Sequence, residues 1–99
     1  MLIRLVGSGE SLDRLTSLVS ESLEDLGLAE VVRVEATDDE AYKTELGVTK
    51  TPALCIEEES IDFKDMVFEG FIPDKAELSS MFLAIVGGGE MDEIGRAHV

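Results

Sequence analysis

The sequence predicts one α/β domain, a mixed four-stranded sheet with helices on both faces, in the order β-α-β-α-β-β-α. Three observations predict it. Short runs rich in apolar and β-branched residues alternate with stretches whose apolar residues recur every three or four positions. The first two strand runs flank a helix, which makes them a parallel pair. The last two are joined by a connection too short for a crossover, which makes them an antiparallel hairpin.

The first run, Leu2 to Val6, is apolar except for Arg4. A Gly7-Ser8-Gly9 loop follows. From Ser11 to Leu26 the residues Leu12, Leu15, Leu18, Val19, Leu23 and Leu26 form a helical stripe, and Gly27 stops it. "VVRVEA", 31–36, has the alternation of a second strand. "TDDEAYKTELG", 37–47, opens with a capping box: Thr37 caps the second helix and Glu40 reaches back, with Asp38 and Asp39 favouring the positive end. Gly47 ends that helix. "TPALCIE", 51–57, is a third strand with Pro52 at a tolerated early position. A charged connection, 57–65, leads to a fourth strand, "MVFEGF" at 66–71. Pro73 starts a last helix that runs to Gly87. The domain therefore spans 1–87, and 88–99 is an acidic, Gly-rich tail that frays.

In the last helix, Leu78, Met81, Phe82, Leu83, Ile85 and Val86 cover more than the single stripe a surface helix needs. The surplus predicts a homodimer through this C-terminal helix. Deep packing of the helix on its own domain is the competing reading.

Composition bounds the function. The chain of 99 residues is 44% hydrophobic and 30% charged, with a net charge of -14. That balance excludes nucleic acid, whose phosphates need clustered Lys and Arg. It also excludes anionic membrane surfaces. Solubility, a basic partner or high salt would each account for it. The longest apolar run, "MFLAIV" at 81–86, is too short to span a bilayer, and "MLIRLVGSG" is too short for a signal-peptide core. With the single Cys55 no internal disulfide is available, and a cytoplasmic home fits.

The stretch "VGSGESLDRL", Val6 to Leu15, has the shape of an active-site loop yet carries Glu10 and Asp13. It is not a dinucleotide loop: Leu12 stands where the third small residue belongs, Glu10 opposes phosphate, and no Lys serves a Walker loop. The two carboxylates read as charge at a helix N-terminus, worth roughly 0.3–1 kcal/mol each. No His, Lys or Tyr lies near them in sequence to complete an acid–base site. Tyr42 reads as core or rim. His98, the only His, sits in the tail, so no Cys/His metal site is expected. Glu57, Glu58, Glu59, Asp62 and Asp65 lack the spacing of a calcium loop and read as a solvated hairpin. No cofactor is implied.

The element order, the Gly7-Ser8-Gly9 loop after the first strand, and "GVTKTPALCIE" before a hairpin resemble the small thioredoxin/glutaredoxin-like family of the redox-active disulfide protein type. The resemblance covers residues 1–86. It implies a thioredoxin-like fold, a cis bond between Thr51 and Pro52, and a shelf made by Thr51, Pro52 and Gly9 that pairs with an extended peptide. It also implies that the family's Cys-x-x-Cys pair falls on Glu10 and Asp13. Thiol–disulfide exchange needs a thiolate, which a carboxylate does not replace. The expected function is therefore redox-inactive, non-enzymatic peptide or protein binding, as an adaptor. Two alternatives stand beside it. One is a thiol-redox protein acting through a mixed disulfide at Cys55, although a cysteine inside an apolar strand reads as a small buried hydrophobe. The other is a structural or oligomer-forming domain without a small ligand.

Overall fold

The structure, a computed structural model, describes residues 1–87. The strands are β1 (Leu2–Val6), β2 (Arg33–Thr37), β3 (Ala53–Glu58) and β4 (Phe63–Glu69). The helices are α1 (Gly9–Asp25), α2 (Glu40–Leu46) and α3 (Lys75–Gly87), and a 3-10 turn spans Glu59–Ile61. The sheet order is β2-β1-β3-β4. β1 runs parallel to β2, and β3 is antiparallel to both β1 and β4.

Alternation along the strands sorts side chains into two layers. Ile3, Leu5 and Leu54 join Leu15, Val19 and Leu23 of α1 and Leu78 and Phe82 of α3 in the main core. Val6, Ala53 and Cys55 face the other way, with Val48, and meet Tyr42 and Leu46 of α2. Helices thus cover both faces, α1 and α3 on one and α2 on the other. Each fully buried Leu or Phe is worth about 1.5–3 kcal/mol. The face with eight such large side chains and two mutually packed helices therefore dominates stability. α2 buries none of its residues completely.

Several element boundaries differ from expectation. α1 begins two residues early, at Gly9. β2 begins at Arg33 and not at Val31, because the Leu28 carbonyl accepts from the amides of both Val31 and Val32 at 3.1 Å and curls the chain. Val32 still reaches the core, while Val31 is exposed. The cap of α2 is Asp39, whose carboxylate accepts from the Tyr42 amide at 2.9 Å. Thr37 instead accepts from the Asp39 amide at 3.2 Å, so the expected Thr37–Glu40 box does not form. β4 starts at Phe63, because an edge strand facing water accommodates Lys64 and Asp65. Glu57, expected at the junction of the third strand and the solvated connection, belongs to β3 and is buried.

In α3, Leu78 and Phe82 are buried and Met81 packs on the core. Leu83 and Val86 stay 43% and 41% exposed, so packing absorbs part of the apolar surplus and not all of it. The tail 88–99, with His98, lies outside the described residues. Among the described residues no helix is long and apolar enough to cross a membrane.

Candidate functional site

The loop after β1 and the turn before β3 meet at one end of the sheet. The Thr51–Pro52 bond is cis. Gly7 has φ +143, a conformation that side chains rarely adopt, and its amide donates to the Thr37 carbonyl at 2.9 Å. A β-carbon on Gly7 would stand 3.4 Å from Thr51 Cβ and 3.5 Å from Pro52 Cα. The first loop therefore borders the Thr51–Pro52 segment, and at residue 7 the backbone φ, more than the space, calls for glycine. Thr51 is exposed and Pro52 is buried. Gly9, two residues on, opens α1 and is exposed. The structure thus places Gly7 beside Thr51 and Pro52 in one ledge, while a β-carbon on Gly9 would meet nothing within 4 Å.

Glu69, which nothing in the sequence marked, fixes the other side of that ledge. Its Oε1 accepts from the amides of Thr49 at 2.8 Å and Lys50 at 3.1 Å. The Thr49 hydroxyl lies 3.3 Å from both carboxylate oxygens. These bonds, led by the two backbone amides, hold the Glu69 carboxyl below its ordinary pKa. The next amide, Gly70, donates to the Pro52 carbonyl at 2.9 Å. Phe71 then stands 49% exposed, its ring 5.1 Å from that of Phe68.

Glu10 and Asp13 lie beside the ledge on the exposed surface of α1. The helix cap is Ser8, and no side chain caps the end by hydrogen bonding. Only Glu10 belongs to the first turn. Asp13 is past the zone where the helix dipole acts strongly, so the expected stabilisation from two carboxylates reduces to one.

Cys55 is fully buried under α2. Burial first, then the carboxylates of Glu57 and Asp65, push its thiol up to about 11. At neutral pH it is a protonated thiol, whereas thiolate is the attacking form.

Beside Cys55 lies a polar cluster that sequence reading missed. The Tyr42 hydroxyl donates to Glu57 Oε2 at 2.6 Å. Arg4 Nε lies 3.4 Å from the same oxygen, an ion-pair contact outside hydrogen-bond geometry. The Arg4 guanidinium also sits 5.1 Å from the Tyr42 ring centre and 3.6 Å from Glu35 Oε1. Burial and the Glu57 bond raise the Tyr42 pKa above its ordinary value. The signal available in sequence was one Arg in "LIRLV" and one Glu closing "ALCIE". The cluster ties α2 to β1 and β3. Among the described residues no three His, Cys, Asp or Glu side chains group as metal ligands.

The fold is thus an α/β domain with a mixed four-stranded sheet, and its candidate site is a backbone ledge at one end of that sheet. Comparison with protein-family models, curated proteins and solved structures gives no match for this chain.

Proposed function

We propose that this chain is a thioredoxin-like domain that has lost its dithiol and binds an extended peptide or protein segment on the Thr51–Pro52 ledge, as a non-catalytic module. The observation that carries the reading is the apposition of Gly7 to Thr51 and Pro52. It sets the first loop and the exposed Thr51 backbone side by side, where a strand-like ligand gains main-chain hydrogen bonds. Glu10 and Asp13 occupy the positions a dithiol would need. Complete burial of Cys55 favours this reading over one in which Cys55 attacks a partner. A cytoplasmic setting belongs to the same proposal.

The test is selection of binders from a random peptide library displayed on phage, followed by amide-shift mapping with one synthetic binder. Shifts centred on Gly7, Gly9, Thr51 and Gly70 support the ledge. Shifts centred elsewhere, or disulfide reductase turnover by the wild-type protein, overturn it. The double variant Glu10→Cys, Asp13→Cys tests the positional part separately. It is expected to form an intramolecular disulfide under mild oxidation, and thiols that never pair would show that these are not the dithiol positions.

A further inference from the structure

A second surface lies at the opposite end of the sheet. Ile56 of β3, Ile61 of the 3-10 turn, Phe63 of β4 and Ile85 of α3 line an apolar cleft of about 230 Å³, with Glu58 on its border. Ile61 is 70% exposed and Phe63 is 41% exposed. Two large apolar side chains held in water at one cleft mark a docking surface more than a solvated hairpin. Around it, Glu59 and Asp62 are exposed and make no ion pair among the described residues. Of the neighbouring cations, Lys64 is turned to Glu45 of α2 at 3.4 Å, and the Met1 ammonium lies 3.7 Å from Glu58 Oε2, which leaves Glu59 and Asp62 as the carboxylates unpaired among the described residues.

The charge selects the occupant. A second copy of the chain would bring a net charge of -14 and the same carboxylates against themselves. The segment 88–99 carries Glu90, Asp92 and Glu93 against Arg96, a net charge of the same sign as the border of the cleft. We propose that this cleft docks a cationic amphipathic segment of another protein, with apolar side chains seated between Ile61, Phe63 and Ile85 and Lys or Arg side chains against Glu58, Glu59 and Asp62. Charge complementarity of this kind steers encounter, and the buried apolar anchors hold the complex. The proposal is independent of the Thr51–Pro52 ledge.

The test uses a short fluorescein-labelled peptide of alternating lysine and leucine, followed by anisotropy against the full chain. Ile61→Ser and Phe63→Ser alter exposed side chains, so far-ultraviolet circular dichroism should stay unchanged. Each is expected to weaken binding about tenfold, as truncation of an interface anchor does. Glu59→Gln with Asp62→Asn is expected to weaken it several-fold and to flatten its salt dependence. A lysine–serine peptide and a glutamate–leucine peptide should both fail to bind. The proposal is overturned by absence of binding, by equal binding of the lysine–serine peptide, or by indifference to Ile61→Ser and Phe63→Ser. Self-association in sedimentation that Ile61→Ser abolishes would also overturn it, in favour of a second copy.

Discussion

Replacing Tyr42 by Phe removes one oxygen and tests the cluster that fastens α2. The hydroxyl donates to Glu57 Oε2 at 2.6 Å, and Glu57 is only 8% exposed. A hydrogen bond to a charged group is worth about 1.5–3 kcal/mol. Arg4 stands too far and at the wrong angle to replace it, so the buried oxygen loses its hydrogen-bond donor. Partial exposure of Tyr42 lets water restore some of the loss. The expected cost is about 2 kcal/mol, or roughly 8–16 °C in Tm for a domain of this size. Urea unfolding of Tyr42→Phe, Glu57→Ala and the double variant isolates the pair. Their coupling is expected at about 1–2 kcal/mol. The chain has a single tyrosine, so phenolate absorbance reports this residue alone. Because its folded pKa is raised, the proton is held in the fold, and this contribution to stability is full below the unfolded pKa and is lost as pH rises. A coupling near zero, together with phenolate formation at the ordinary tyrosine pH, would refute the contact.

Three further outcomes are expected. Gly7→Ala places a β-carbon against the Pro52 backbone at a φ that alanine avoids, and should cost about 1–3 kcal/mol in denaturant unfolding; a neutral result would mean that the ledge is loose. Cys55 should react with a thiol reagent slowly in the native protein and at once in denaturant. Its pKa is raised from 9.0 to about 11, so its stabilising contribution is present below pH 9.0 and fades as pH rises toward about 11, and Cys55→Ala should remove that share of the alkaline loss. The Ser22 hydroxyl is fully buried without a partner, so Ser22→Ala should be neutral or stabilise by up to about 1 kcal/mol, read from the urea midpoint.

Local rules were legible in the sequence where burial enforces them. The β1 run "LIRLV" shows its bounds because both faces of that strand are covered. Gly47 marks the end of α2 because its φ of 71 suits glycine. Edges were less legible. Lys64 and Asp65 look like loop, yet they lie on a strand whose outer side is water. The ledge could be expected from "GSG" and "TPA", but Glu69 could not: it sits 20 residues from Thr49, and only the hairpin brings them together. The same holds for Tyr42 and Glu57, 15 residues apart. Long-range polar pairs leave no periodicity to read.

β4 carries one irregularity with a wider consequence. Leu54 faces Phe68 while Cys55 faces Met66, so Val67 is skipped in the ladder. Without that extra residue Met66 and Phe68 would share a face; with it, Met66 packs beneath α2 and Phe68 enters the main core. The strand is thus read in two frames. Its last residues, Phe68 and Glu69, keep step with the ledge, and its first, Phe63 to Met66, keep step with the hairpin cleft. A change of one residue in the hairpin can retune the cleft while the ledge stays in register, so the two ends of this domain are free to diversify separately.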